Sequence, residues 1–312
     1  MAVYDAFYKF SVPPFTLSPD PAFLYMSPGH RDTLAGLKYA VLDGKGFAVL
    51  TGEVGTGKTT LVRALLTELG DTTHTALFFN PHLSRQDLYQ ELLAEFGLPV
   101  EQTIATSVRA LQSFLLDRFA ANTRVVVIID EAHVLSRGIL EEVRLLSNFE
   151  TSKSKLLQIV LVGQPELNRR LRRPALRQLR QRIALSFELL PLAFEETIAY
   201  VRWRLTVAGG SADIFEPSAF VPLHRFSGGL PRLVNLLCDH ALVAGFARDC
   251  PAIAAGVVRE VAHELSLRPL ARVGLRDRLA MRRQTSRTNV TIPLMELSTA
   301  HYAYTRPRRT NK

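Results

Sequence analysis

The sequence predicts an α/β protein: a parallel sheet covered by helices on both faces, followed by a small all-helical region. Three observations carry this. The runs "GFAVLTG", "RVVVIID" and "LLQIVLVG" are continuously apolar and β-branched, without the alternation of a half-exposed strand, and segments of helical period separate them. A glycine-rich loop joins the first run to the helix after it. After "FELLPL" the strand signals stop, and only helical periodicity continues.

Taken in order, a Pro-rich, aromatic stretch ("PPFTLSPDPAFLYMSPGH") leads to an amphipathic helix, "RDTLAGLKYAVLDG". The first strand and the loop follow, then the helix "KTTLVRALLTELG", stopped by Gly70. "TALFFNP" reads as a second strand, and "RQDLYQELLAEFG" and "SVRALQSFLLDRFAAN" as helices. "RVVVIIDEAH" is a buried strand, "GILEEVRLLSNFE" a helix, "LLQIVLVGQP" a buried strand and "IALSFEL" a last one. Four helical segments come next, beginning at "FEETIAYVRW", "PSAFVPLHRF", "PRLVNLLCDH" and "AAGVVREVAH". The expected division is an α/β domain over 1–190 that includes the N-terminal stretch, a helical domain over 191–265, and a basic, flexible tail over 266–312. No internal repeat is visible.

Composition narrows the class. With 312 residues, 47% of them apolar, the chain has ample material for a core. No run approaches the about 20 apolar residues that cross a bilayer, so no transmembrane segment is expected in it. The N-terminus lacks the basic and apolar regions of a secretory signal. Cys238 and Cys250 have no CxxC spacing and no histidine cluster, and read as reduced residues of a cytoplasmic chain. The net charge of +9 belongs to residues 266–312, where ten arginines and Lys312 face only Asp277 and Glu296. The isoelectric point therefore says little about the folded body.

"GEVGTGKTT", the stretch Gly52, Glu53, Val54, Gly55, Thr56, Gly57, Lys58, Thr59 and Thr60, fits G-x-x-x-x-G-K-[ST] between a strand and a helix. Gly52, Gly55 and Gly57 let backbone N–H groups close around a polyphosphate where side chains would collide. The helix that follows points its positive end at the same anion. Lys58 is placed to neutralise the β- and γ-phosphates, and the Thr59 hydroxyl to bind Mg²⁺. "VVVIIDEAH" supports this independently by ending a buried strand in Asp130, where open α/β sheets bind ligands. Asp130 is expected to hold Mg²⁺ directly or through water. Glu131 is then free to activate the attacking water. ATP and Mg²⁺ are the expected ligands.

These features, with "LVGQPEL" and "SGGLPR" downstream, resemble the AAA+ ATPases. The stretches "PFTLSPDPAFLYMSP", "GFAVLTGEVGTGKTT", "EEVRLLSNFETSKSKLLQIVLVGQPEL" and "GGLPRLVNLLCD" are similar to the ATPase region of the general secretion pathway protein A family, over about residues 5–265. The AAA+ ATPases that regulate transposition have a similar core. The secretion family continues into a transmembrane segment and a peptidoglycan-binding region; this chain carries the basic tail instead.

The resemblance implies further roles. "RRLRRPALRQLRQRI" packs seven arginines into residues 169–183. Pro174 suits a first helical position, with Leu176, Leu179 and Ile183 forming an apolar stripe. Most of these arginines read as a solvated helix face. AAA+ proteins carry an arginine finger at the end of the matching helix, which Arg182 matches best and Arg180 second. A finger acts in trans and implies a homo-oligomer. Gln164 matches the polar sensor after the Walker B strand, and Arg232 in "GGLPR" matches the second sensor. A cation at a helix N-terminus opposes the helix dipole, which favours an anionic partner for Arg232. Asp239 and His240 read as structural. Two roles remain open: a cytoplasmic or inner-membrane-peripheral ATPase that supports assembly of an envelope secretion system, or an oligomer that binds duplex DNA and recruits a transposase. The tail fits phosphate contact and an anionic membrane surface equally.

Overall fold

The structure is a computed structural model that describes residues 2–16, 21–78, 84–152 and 154–271. Its elements are α1 (Asp5–Tyr8), α2 (Pro28–Leu42), β1 (Phe47–Gly52), α3 (Lys58–Leu69), β2 (Thr73–Phe78), α4 (Arg85–Glu95), α5 (Ile104–Ala120), β3 (Arg124–Ile129), α6 (Arg137–Leu146), β4 (Gln158–Gly163), α7 (Glu166–Leu171), α8 (Arg177–Arg182), β5 (Ile183–Leu189), α9 (Phe194–Val207), α10 (Phe220–Ser227), α11 (Pro231–Phe246) and α12 (Ala255–Glu264).

The five strands lie in the order β2-β3-β4-β1-β5, and every pair is parallel. β1 and β4, in the middle, are buried along their whole length, which is why they read as unbroken apolar runs. β5 is an edge strand and alternates between exposed and half-buried positions until Leu189. Successive residues of the inner strands feed two different cores, because side chains alternate across a sheet. Val127 and Ile129 of β3 and Ile159 and Leu161 of β4 pack under α4, α5, α6, α7 and α8. Val126, Ile128, Val160 and Val162 pack on the opposite face, under α2 and α3.

Helix starts follow local capping chemistry. Ser27 accepts from His30 N at the start of α2, Ser136 caps α6, and Ser84 with Asp87 forms a capping box on α4. Around the arginine-rich segment the structure differs from the sequence reading. Pro174–Leu176 is a separate 3-10 turn, and α8 begins only at Arg177. Leu176 and Leu179 are buried as the stripe requires, and Ile183 packs against the same cluster.

A third core holds α9 to α12 together, and it corrects the grouping of the N-terminal stretch with the α/β domain. Tyr4, Tyr8, Phe10, Phe15 and Phe23 are buried in this cluster, against Val201, Leu205, Phe215 and Leu242. The Tyr4 hydroxyl donates to the Asp239 carboxylate, Tyr8 Oη donates to Cys250 O (2.9 Å), and Ser11 N donates to Ala208 O (2.8 Å). Burial raises the Tyr4 phenol well above its usual range, so it remains a donor. The stretch has no helical or strand period, so its burial follows from aromatic area finding an apolar surface distant in sequence. Cys238 is buried in this core, and both cysteines are free.

The first residues of the basic tail are also ordered against the helical region. Leu267 packs on its core, and Leu270 N and Ala271 N both donate to Arg225 O (2.8 and 3.1 Å). The expectation of flexibility for the rest concerns residues 272–312, which lie outside the described residues. Among the described residues, no helix is long and apolar enough to cross a membrane.

Candidate functional site

All strands being parallel, the carboxyl ends of β1, β3 and β4 open on one edge of the sheet, and three loops meet there. The loop from β1 turns into α3 at Gly57. Lys58 is buried, and its Nζ donates to Gly52 O (2.8 Å) and Glu53 O (3.0 Å). Burial lowers the ammonium from its usual value, while the carboxylates of Glu131, Asp130 and Glu53 act the other way. Thr56 is buried within the loop and donates its hydroxyl to Glu53 O (2.9 Å).

The loop after β3 supplies the acids. Asp130 N extends the ladder by donating to Phe78 O (2.9 Å), which leaves the buried carboxylate at the strand end. Asp130 Oδ2 accepts from Thr59 Oγ1 (2.9 Å), and Asp130 Oδ1 accepts from Glu131 N (2.8 Å). Glu131 adopts a left-handed backbone conformation (φ 52°), which turns the chain between strand and 3-10 turn. Its carboxylate lies 3.2 Å from His133 Nδ1.

A cavity of about 410 Å³ opens over this edge. One wall is the loop, with Val54, Gly55, Thr56, Gly57, Lys58, Thr59 and Thr60, joined by Glu131. The opposite wall comes from the N-terminal stretch, with Thr16, Phe23, Leu24 and Tyr25, and from the helical region, with Leu192, Tyr200, Arg204, Arg232 and Asn235. The two walls meet at Gly55 and Arg232. Arg232 N donates to Gly55 O (3.4 Å), and a Cβ on Gly55 (φ +84°) would sit 2.7 Å from Arg232 Cβ. Only glycine permits both the conformation and the approach.

The sequence-derived residues therefore separate into groups. Val54, Gly55, Thr56, Gly57, Lys58, Thr59, Thr60, Glu131 and Arg232 line the cavity; Gly52 and Glu53 hold Lys58, and Asp130 backs Thr59. Gln164 does not line the cavity: its N lies 3.5 Å from His133 Nδ1, beyond the end of β4. Arg182 is also away from the lining and donates to the Ser147 hydroxyl at the end of α6. Of the other arginines, Arg169 pairs with Glu166 and Arg170 donates to His133 O and Leu135 O. Arg172, Arg173, Arg177 and Arg180 are exposed and form no ion pair among the described residues.

Several cavity residues went unnoticed in the sequence. His30 is buried, with Nδ1 2.7 Å from Ser27 Oγ and Nε2 3.1 Å from Thr56 O. Burial lowers its pKa, and the Thr56 contact opposes this. Arg204 is buried and forms no ion pair among the described residues. Its Nε donates to Pro14 O (2.5 Å), its Nη1 to Tyr200 Oη (2.9 Å), and its guanidinium lies 4.7 Å from the Phe23 ring centre. The density of aromatics in "PPFTLSPDPAFLY" was the available signal for this wall.

A loop of backbone amides, a lysine and a helix start suit a polyphosphate. A hydroxyl beside one carboxylate suits Mg²⁺, a hard cation ordinarily held by one or two protein oxygens with phosphates and water completing its shell. Among the described residues, no cluster of three His, Cys, Asp or Glu able to hold a metal occurs.

A phosphate loop after a central strand, acids after its neighbour-but-one and a helical region closing on the loop are the marks of an AAA+ protein, and a family model described as an AAA domain matches residues 41–171. General secretion pathway protein A of Aeromonas hydrophila is 48% identical over 277 residues, covering 88% of this chain and 49% of that protein, and the chain belongs to this family. It spans about half the length of that relative. The fold is similar to that of the ADP form of the Aeropyrum pernix ORC2 protein (TM-score 0.60, 17% identity, covering 82% of this chain and 73% of that one). It is also similar to Cdc6p from Pyrobaculum aerophilum (TM-score 0.58, 18% identity, covering 79% and 71%).

Proposed function

We propose that this chain binds ATP with Mg²⁺ in the cavity, hydrolyses it, and works as a homo-oligomer that supports assembly of an envelope secretion system. The observation that carries the reading is the meeting of Lys58, Thr59 and Glu131 at one cavity wall, with Asp130 hydrogen-bonded behind Thr59, from two loops distant in sequence. Lys58 would contact the β- and γ-phosphates, and Thr59 and Asp130 would hold Mg²⁺, which offsets charge on those phosphates. Glu131 accepts the proton of the attacking water as the γ-phosphorus–oxygen bond to ADP breaks. Arg232 reaches the same phosphates from the helical region, and Gln164 monitors them from β4. Arg182, absent from its own chain's cavity lining, serves the nucleotide of a neighbouring subunit. The likeness to general secretion pathway protein A supports the secretion role and a cytoplasmic position, peripheral to the inner membrane.

The test is Glu131→Gln. ATP binding, followed by calorimetry, should persist while turnover falls about 10²- to 10⁴-fold, the usual contribution of a general base. Turnover at the parent rate would place the base elsewhere.

The four exposed arginines Arg172, Arg173, Arg177 and Arg180 support a second reading, in which the oligomer binds duplex DNA. Deleting residues 266–312 and measuring DNA binding across a salt series separates tail from body, since each lost phosphate contact lowers the salt slope by about one unit. ATP-dependent, salt-sensitive binding by the truncated protein would favour the DNA reading. Absence of binding by either form at low salt would remove it.

A further inference from the structure

We infer that Arg204 is a positioning residue that fixes the N-terminal stretch as the wall meeting the nucleoside end of the nucleotide; this rests on the reading of the cavity as an ATP site. A polyphosphate seated on the loop beside Lys58 leaves base and ribose as the parts that reach the opposite wall. That wall contains Thr16, Phe23 and Tyr25 from the stretch, and Tyr200 and Arg204 from α9. It offers aromatic rings and hydroxyls, which suit a nucleoside.

Residues 9–16 belong to no helix or strand, so contacts with the helical region set their place. Tyr200 and Arg204 are one turn apart on α9 and share a face of it. Upstream, Arg204 Nε donates to Pro14 O (2.5 Å), and the guanidinium lies 5.8 Å from the Phe15 ring centre. Downstream, it lies 4.7 Å from the Phe23 ring centre, while the Tyr25 ring meets the Tyr200 ring edge-on at 5.6 Å. Arg204 Nη1 donates to Tyr200 Oη (2.9 Å), so the two anchors form one unit.

Packing alone does not call for an arginine here. Arg204 is buried, and among the described residues its charge meets a carbonyl, a hydroxyl and three rings but no carboxylate. An apolar side chain of similar volume would hold the helices together at lower cost. A guanidinium, however, can bond a backbone carbonyl, bond a hydroxyl and stack on a ring at once. The stretch it holds is buried in the core of the helical region, whereas Lys58 and Thr59 begin α3 beside the sheet. Phosphates and nucleoside are therefore gripped by different parts of the molecule, and Arg204 sets the second grip through Phe23 and Tyr25.

Steady-state ATPase assays of the full chain test this. Arg204→Met keeps a long apolar stem and loses both hydrogen bonds. Its KM for ATP should rise about tenfold, the scale of a lost hydrogen bond to a charged group, with kcat unchanged, as when binding common to ground and transition states is removed. Inorganic tripolyphosphate, which carries phosphates without a nucleoside, should inhibit variant and parent with the same constant. Arg204→Lys keeps the charge but cannot bond Pro14 O and Tyr200 Oη together, so it should resemble Arg204→Met. Should Arg204→Met fail to fold, Phe23→Leu, which removes the ring nearest the guanidinium, carries the same expectation. A parent-like KM in whichever of the two folds, an equal rise in the tripolyphosphate constant, or full recovery in Arg204→Lys would overturn the role. A parent protein that neither binds nor hydrolyses ATP would remove the ATP reading itself; with ATP turned over by the parent, those outcomes remove only the role of Arg204.

Discussion

Thr59 Oγ1 donates to Asp130 Oδ2 across 2.9 Å, joining the first turn of α3 to the end of β3, 71 residues further along the chain. A buried carboxylate beside a hydroxyl, with a buried ammonium in the same wall, is a costly arrangement for an isolated protein and a useful one for a metal-bound polyphosphate.

Asp130→Asn retains an oxygen for the Thr59 hydroxyl but loses the negative charge that attracts a divalent cation. ATP affinity in EDTA should therefore be nearly unchanged, while the gain in affinity on adding Mg²⁺ should largely vanish. Calorimetric titration with and without Mg²⁺ measures both. A full Mg²⁺ effect in the variant would assign the metal to other ligands.

Arg182→Ala should leave nucleotide affinity intact and lower turnover by about 10³-fold or more, the scale of an arginine finger. Ser147→Ala, which removes only the partner to which Arg182 donates, should retain most activity and so separate finger from strut. Mixing Arg182→Ala with Glu131→Gln should restore part of the turnover, because each supplies what the other's interface lacks. Full activity in Arg182→Ala with loss in Arg180→Ala would move the finger to position 180.

Gly55→Ala puts a Cβ 2.7 Å from Arg232 Cβ at a φ of +84°, and neither strain can be relieved without moving α11 or the loop. ATP affinity should fall more than tenfold, while the urea midpoint of the α/β core shifts little. The affinity is read from calorimetry and the midpoint from far-UV circular dichroism. Parent-like affinity would mean that the helical region does not need to touch the loop.

Burial lowers the His30 pKa, so the sign of its pH effect follows. In the unfolded chain the imidazole takes a proton near its ordinary value of about 6.5, whereas folded His30 stays neutral. Its contribution is present above that value and is lost as pH falls through the depressed folded one. Urea midpoints should decline between pH 7.5 and 5.5, and His30→Gln should flatten the decline. His74, also lowered by burial and by Arg118, leaves a residual slope. Identical pH dependence in the variant and parent would remove His30 from the account.

The features legible in the chain alone are local in origin. The phosphate loop, the acids after "VVVII" and the capped helices each depend on residues a few positions apart, where glycine, capping side chains and apolar runs act within one turn or one strand. The parallel sheet was readable for the same reason, since β1, β3 and β4 are buried on both faces and cannot alternate. Contacts between residues distant in the chain appear only once it is folded. Arg204 finds Pro14 O across 190 residues, His30 reaches Thr56 O across 26, and the aperiodic aromatic stretch joins the helical region that its position in the chain does not suggest. The arginine-rich segment shows the division most sharply. Seven similar residues in the chain become one ion pair, one anchor for the turn bearing His133, one partner of Ser147 and four exposed cations, because burial and available acceptors differ along two short helices and the 3-10 turn between them.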